Sequence, residues 1–378
     1  MAPLGFQDKV AFVWRVADRL RGTFKQHEYG SVMLPLLVLR RMDAVLEPTR
    51  QRVVDFAQGI EIGPGQDQQL KRITGQGFYN TSRHSFVSLL SDPRSLADNL
   101  AAYIADLSSD AAAVMEAYNL DDKIIRMDRA QILYPVLAEF ADLDLRPEVV
   151  SNETMGYIFE ELLRRFSEMS NETAGEHYTP REVIRLIADL LVSGRTAQAL
   201  VANQMPVRTV YDPAAGTGGM LMVMMDRLQA LNDQALVRVF GQELNAETWA
   251  IAQSDLMMKG IAPDQMRNGN TLTHDAFAGQ RFDFILANPP YGVDWKGYAQ
   301  PIKDEHGRGP LGRFEAGLPR VSDGSLLFLQ HMLSHMKPVT EENPDGSRVG
   351  IVLSGSPLFS GQAGSGESEI RRWILEHD

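Results

Sequence analysis

The sequence predicts an α/β protein: an all-helical N-terminal domain, then a domain built on a mostly parallel sheet with helices on both faces. Three observations carry this. Apolar residues recur at three- and four-residue spacing through roughly the first 150 positions, which is the period of a helix face. From about Val207 onward, apolar runs of strand length alternate with helical patterns, and strands separated by helices imply crossover units in a parallel sheet. The chain has 378 residues, enough for two domains. The expected division is 1–150 for the helical domain and 151–378 for the second.

In the first part, Val10, Val13, Trp14, Ala17 and Leu20 mark one helix face and Ile132, Leu133, Val136, Leu137 and Phe140 another. Between them, roughly Gly59 to Ser82 reads as a loop rich in glycine and polar residues. Arg15, Arg19, Arg21 and Lys25 form a locally basic run, which suits a solvated helix face better than a nucleic-acid contact. A helix is predicted from about Asn152 to Met169, with Ile158, Phe159, Leu162, Leu163 and Phe166 on one side. Strands are predicted at Thr209–Tyr211, Val237–Phe240, Phe282–Ala287 and Val349–Leu353, with a less distinct one before Asn268. Helices are predicted from Gly219, over Ala246–Lys259 and over Glu367–His377.

Composition excludes several classes. No stretch approaches the ~20 apolar residues of a membrane span, and the N-terminus lacks the basic and apolar regions of a secretion signal, so the expectation is a cytoplasmic protein with no membrane contact. The absence of cysteine removes disulfides, thiolate nucleophiles and cysteine zinc sites. His331 and His335 lie one helical turn apart, but Met332 stands where a zincin carries its glutamate, so a plain helix face is expected and no metal. A formal charge of -12 speaks against a protein that grips nucleic acid alone by neutralising phosphates.

In open parallel sheets, ligands sit beyond the carboxyl ends of the strands. The first such place holds Asp212, Pro213, Ala214, Ala215, Gly216, Thr217, Gly218 and Gly219, between a strand and a helix. Glycines there permit a tight turn and close approach of a ligand, but the spacing is not the dinucleotide fingerprint and no phosphate-binding lysine follows. The second place is Glu243, whose carboxylate suits either the two ribose hydroxyls of an adenosine or the dipole of the following helix. The third is Asn268 to Thr271, where Asn-Gly is common turn chemistry and Asn270 is also a candidate for contact with an adenine.

The predicted strand Phe282–Ala287 ends in Asn288, Pro289, Pro290 and Tyr291. Two prolines fix φ and donate no hydrogen bond, so the loop is stiff and offers carbonyls, one amide and one aromatic ring. Those groups suit an amine on a flat base. Acceptance of its hydrogens by the Asn288 side chain and the Pro289 carbonyl would draw the nitrogen toward tetrahedral geometry, and Tyr291 would stack on a base taken out of the duplex. An isolated Asn-Pro-Pro-Tyr is also a plain rigid turn; its order after the glycine loop and Glu243 makes the signal specific.

With those elements in that order, the sequence resembles the amino-methyltransferases. The resemblance implies a Rossmann-like domain that binds S-adenosylmethionine through Asp212, Ala214, Gly216, Thr217, Gly218, Gly219, Glu243 and Asn270, with Asn288, Pro289, Pro290 and Tyr291 as the catalytic loop. Upstream, Glu176, His177, Tyr178, Thr179, Pro180, Arg181 and Glu182 read locally as a capping box, with Thr179 as N-cap and Pro180 at the first helical position. An apolar face of Val183, Ile184, Ile187, Leu190 and Leu191 follows. The segment 176–181 also resembles the motif that closes over the methionine end of the cofactor in the gamma order of adenine methyltransferases.

Together with the helical first domain, this pattern resembles the modification subunits of type I restriction-modification systems over almost the whole chain. The resemblance implies transfer of a methyl group to the N6 amine of adenine in double-stranded DNA. It also implies a separate specificity subunit, a second modification subunit and a restriction (nuclease and translocase) subunit, which agrees with the acidic charge. Tyr291 stands where many relatives have phenylalanine, and both stack. The stretch 292–322, with Trp295, Tyr298, Arg308, Arg313 and Arg320, reads as a long loop that orders over the base or the backbone. Family members continue past a fifth strand, so a truncated chain with an uncovered edge is expected. Two rivals stand: a protein-glutamine N5 methyltransferase, which shares the Asn-Pro-Pro-Tyr loop, and a non-catalytic scaffold that kept the fold.

Overall fold

The structure is a computed structural model and describes residues 6–170, 179–194, 196, 198, 201, 206–261, 265–341, 343 and 346–377. The chain forms two compact units, Met1–Ala174 with Ala250–Asp264, and Gly175–Trp249 with Gln265–Asp378. Among the described residues no helix is long and apolar enough to cross a membrane.

The first unit is helical. At its centre lies the helix Tyr29–Leu46, in which Val32, Met33, Leu36, Leu37, Val38, Leu39 and Met42 are all buried, so it is covered on every side and needs neighbours all round. Helices Phe6–Leu20, Leu133–Ala141 and Asn152–Ser170 pack with it or with one another. Buried Arg41 fixes the connection into the last of these, donating to the Val150 carbonyl at 2.8 Å, to the Asn152 side chain at 2.8 Å and to the Leu145 carbonyl. Burial pulls the Arg41 guanidinium down to about 10. The helix Asn152–Ser170, placed by its sequence in the second domain, buries Met155, Ile158, Phe159 and Leu162 within this unit.

Two expectations change here. The stretch 59–82 is not all loop: Pro64–Thr74 is a helix, with Pro64 at its start and Gly75 at φ 67 closing it. Its anchor is Leu70, which packs with Val53 and Tyr79. Trp14, placed on the apolar face of the first helix, is 48% exposed.

The second unit is a five-stranded parallel sheet of β1 (Val207–Asp212), β2 (Leu236–Glu243), β3 (Met266–Asn268), β4 (Phe284–Ala287) and β5 (Arg348–Ile351). The strand order is β3-β2-β1-β4-β5. Register pairs Tyr211 with Phe240 and with Ile285, so the carboxyl ends of β2, β1 and β4 lie side by side. Helices Arg181–Leu191 and Gly219–Leu231 pack on each other, on β5 and on β1 and β2. Opposite them, Met332 of helix Ser325–Ser334 joins Tyr211, Phe277, Phe282 and Ile285 in a buried cluster. Every residue of β4 is buried, as a strand covered on both faces requires.

The stretch 292–322 is packed rather than open. It holds the helix Ala299–His306, and Trp295, Ile302 and Phe314 are buried against Leu272 and Leu327. Trp295 donates its indole N–H to the Arg320 carbonyl at 3.0 Å, and Arg313 is engaged internally, as described below. Neither side chain is displayed for a base: apolar burial outweighs keeping the Trp295 ring in water, and Arg313 is held by its ion pair with Glu305 and its bonds to Thr271, Leu272 and His331.

Candidate active site

β1 carries Asp212 to the sheet's carboxyl edge and buries it to 1% exposure. One carboxylate oxygen accepts the Ala214 N–H at 2.9 Å, and the other, Oδ2, has no hydrogen-bond partner among the described residues. Burial pushes the Asp212 carboxyl up to about 8, with the Glu243 charge adding to the effect and the Ala214 bond opposing it. Gly216 (φ 55) and Gly218 (φ 82) lie in the left-handed region, which is why glycine stands there. A side chain added at Gly216 or Gly219 would meet no heavy atom within 4 Å, so the chain itself leaves space beside this backbone.

β2 delivers Glu243 next to that loop. Its carboxylate accepts the Gly216 N–H at 2.9 Å and the Asn245 N–H at 2.8 Å, so it braces both the glycine loop and the start of helix Ala246–Met258. Two supporting residues, Gln242 and Gly241, were missed by the sequence reading, and a third, Asn268, was read only as part of a turn. Gln242 is fully buried and donates to the His274 carbonyl at 2.8 Å while accepting the Ala276 N–H at 3.2 Å. Asn268 donates to the Glu243 carbonyl at 2.9 Å. At Gly241 a Cβ would fall 2.3 Å from the Met266 sulfur and 3.0 Å from Ala215 and Leu221, so any side chain there would have to displace Met266. A glutamine closing an apolar strand was the available signal for the first; the others depend on neighbours distant in sequence.

Asn270 behaves as a turn residue, its side-chain oxygen accepting the Leu272 N–H at 3.0 Å and its carbonyl the His274 N–H at 2.8 Å. Thr271 ties this turn to the first loop by donating to the Pro213 carbonyl at 2.6 Å.

β4 leads into Asn288, which is half-buried, followed by buried Pro289, exposed Pro290 and exposed Tyr291. The Asn288 amide donates to the Thr179 hydroxyl at 2.8 Å, and the Tyr291 hydroxyl donates to the Asn288 side-chain oxygen. Thr179 is therefore not the N-cap expected of it: Pro180 occupies that position, in front of helix Arg181–Leu191, and makes no side-chain cap bond. On that helix Ile184 and Leu191 are buried, while Leu190 is exposed. Arg181 opens it on the exposed side. Glu176, His177 and Tyr178 lie outside the described residues.

The order β3-β2-β1-β4-β5 reverses between β1 and β4, and it is there that an open sheet leaves a crevice. The loop after β1, with Asp212, Ala214, Gly216, Thr217 and Gly218, and the loop after β4, with Asn288 to Tyr291, flank that point. Glu243 flanks the first loop on its other side.

Asp275, His331 and His335 place their ligand atoms within 4.8 Å of one another. All four ring nitrogens have protein partners. Arg313 donates to His331 Nδ1 at 2.9 Å, so His331 Nε2 carries the proton directed at the Tyr211 hydroxyl at 2.9 Å. Burial holds His331 well below the usual histidine range. His335 Nδ1 donates to the Gln280 carbonyl at 2.7 Å and its Nε2 meets Asp275 at 3.0 Å. A divalent ion would have to break these bonds beside a guanidinium, so the cluster reads as a polar brace under β1.

The N-6 DNA Methylase family matches residues 150–378, more than half of the chain, and the HsdM N-terminal domain family matches residues 10–140. The chain is 24% identical over 383 residues to the type I restriction enzyme MjaIX methylase subunit of Methanocaldococcus jannaschii, covering 97% of this chain and 64% of that protein. It is 27% identical over 233 residues to the HindI methylase subunit of Haemophilus influenzae, covering 60% of this chain and 46% of that protein. The chain thus spans less than two thirds of the length of these relatives. In fold it is similar to the type I restriction-modification methyltransferase subunit from Streptococcus thermophilus, with a TM-score of 0.72 at 22% identity over 98% of this chain and 79% of that one. With its glycine loop, acidic strand end and Asn-Pro-Pro-Tyr corner on one edge of a parallel sheet, the chain belongs to the N-6 DNA methylase family.

Proposed function

We propose that this chain methylates the N6 amine of adenine in double-stranded DNA, as the modification subunit of a type I restriction-modification complex. The observation that carries the reading is the adjacency of β1 and β4, which brings the Asp212–Gly219 loop and the Asn288–Tyr291 loop to the two sides of one switch point.

S-adenosylmethionine fits the first loop on three counts. Asp212 Oδ2 is a buried acceptor without a partner among the described residues, suited to the cofactor's ammonium. The backbone at Gly216 and Gly219 has open space beside it. The Glu243 carboxylate, already bonded to two N–H groups, has lone pairs left for ribose hydroxyls. Ala214, Thr217, Gly218, Thr179, Pro180 and Arg181 complete the proposed cofactor contacts, with Glu176, His177 and Tyr178 from the segment before them. Asn270 is a weaker member, given its turn bonds. Bound there, the cofactor supplies a methyl group already activated on a sulfonium.

The chain's own work is alignment. Asn288 Oδ1 and the Pro289 carbonyl accept the hydrogens of the target amine, so its lone pair points away from them toward the glycine loop. The Pro289–Pro290 pair keeps these oxygens from swinging. The Tyr291 ring, 42% exposed, offers a face for a base extruded from the duplex.

A net charge of -12 leaves the grip on phosphates to other subunits. A specificity subunit, a second modification subunit and a restriction subunit are the proposed partners. Co-expression of the chain with its genomic neighbours, followed by mapping of methylated adenines, tests the proposal. Methyl transfer to a protein glutamine instead of DNA would overturn it.

A further inference from the structure

Resting on that reading, we infer that Thr179 is a positioning residue for Asn288: its hydroxyl fixes the plane of the amide that receives the target amine. The two residues are 109 positions apart, yet Asn288 Nδ2 donates to Thr179 Oγ1 at 2.8 Å. The hydroxyl has no capping duty that would explain it locally, since the N-cap is Pro180.

Both ends of the bond are carried on stiff supports. Asn288 follows a strand buried at every residue. Thr179 leads directly into helix Arg181–Leu191, which lies so close on β5 that a Cβ at Gly350 would stand 2.8 Å from Ile187 and 3.3 Å from Leu191. A terminal amide torsion is otherwise broad, and an amide turned through half a rotation would present its NH2 to the incoming amine, donor against donor. A hydroxyl both accepts and donates, so Thr179 sets where the amide lies. Donors on the far side then select the oxygen, and the Tyr291 hydroxyl already does so. Thr179 thus acts on turnover through Asn288, which is separate from the cofactor contact its motif implies.

The test uses the full chain with its co-expressed neighbours on a DNA duplex. It compares Thr179→Val, which keeps the shape and loses the hydroxyl, with Thr179→Ser, which keeps the hydroxyl. At saturating cofactor, Thr179→Val should lower kcat about tenfold to a hundredfold, the scale of a small misplacement at the reacting centre, with KM for DNA and melting temperature unchanged. Thr179→Ser should restore most of the rate. Full kcat in Thr179→Val overturns the inference, and so does a defect that vanishes at saturating cofactor, which would make Thr179 a cofactor contact alone. Equal impairment of both variants overturns it too, because shape and not the hydroxyl would then matter. Normal turnover by Asn288→Ala defeats the loop assignment itself, whereas an inactive Asn288→Ala beside a fully active Thr179→Val defeats only the positioning role.

Discussion

Glu243 accepts the Gly216 N–H at 2.9 Å, a bond that joins the loops after two neighbouring strands before any ligand is considered. The same carboxylate holds the Asn245 N–H, so its loss removes two charge-assisted bonds at once. Such bonds are worth ~1.5–3 kcal/mol each. Glu243→Ala loosens the glycine loop and also removes the acceptor proposed for the ribose hydroxyls, so it should weaken S-adenosylmethionine binding by about tenfold to a hundredfold in calorimetry, given that ~1.4 kcal/mol is tenfold. Unchanged affinity would remove Glu243 from the cofactor site.

Asp212 gives a pH dependence of defined sign. Burial raises its carboxyl to about 8, so in the free protein it is protonated at neutral pH. An ammonium needs the carboxylate, so binding must expel that proton. Cofactor affinity should therefore rise with pH up to about 8, and binding at pH 7 should release a proton, seen as a dependence of the calorimetric heat on buffer ionisation. The same shift makes the free protein lose stability as pH rises from 3.8 through about 8, because the folded state holds the proton more tightly than the unfolded chain. Asp212→Asn should abolish the proton release and weaken binding, while flattening that stability decline.

Asn288→Ala should eliminate methylation and leave cofactor affinity nearly intact, since its side chain bonds to Thr179 and Tyr291 and not to the glycine loop. Methyl-group incorporation into duplex DNA is the readout. Retained incorporation would break the assignment of the acceptor oxygen.

Arg313 is a structural hub. It pairs with Glu305 at 2.7 Å and donates to the Thr271 carbonyl at 2.7 Å, the Leu272 carbonyl at 3.2 Å and His331. Burial tends to raise the Glu305 carboxyl, but the Arg313 bonds outweigh it and hold the group below its usual value. Arg313→Met leaves that carboxylate largely buried without its partner, a change that costs ~3–5 kcal/mol. The urea midpoint should drop accordingly, and Glu305→Leu added to Arg313→Met should recover part of the loss. In the wild type the pair's contribution is present above the ordinary glutamate value of 4.5 and is lost as pH falls through the depressed one.

The sequence by itself determined the main strands and helices of the second unit and their order. Hydrophobic period located Gly219–Leu231, Leu236–Glu243 and Phe284–Ala287 to within a few residues, because burial of one helix face or of both strand faces leaves a local signature. It also marked the two loops at the sheet's carboxyl edge, since Gly216 and Gly218 at positive φ and the two prolines after Asn288 are local backbone requirements. Only the tertiary structure decided the partners. Thr179 reads as an N-cap from its neighbours, and a hydroxyl 109 residues away from an amide cannot be matched to it by spacing. The same holds for Arg313, which a loop-like composition hid, and its partner His331, which reads as part of a plain helix face, and for the helix Pro64–Thr74, whose one buried apolar residue, Leu70, is too little to announce itself. Backbone geometry and burial pattern act over a few residues, whereas hydrogen-bond partners depend on which strands the sheet brings together.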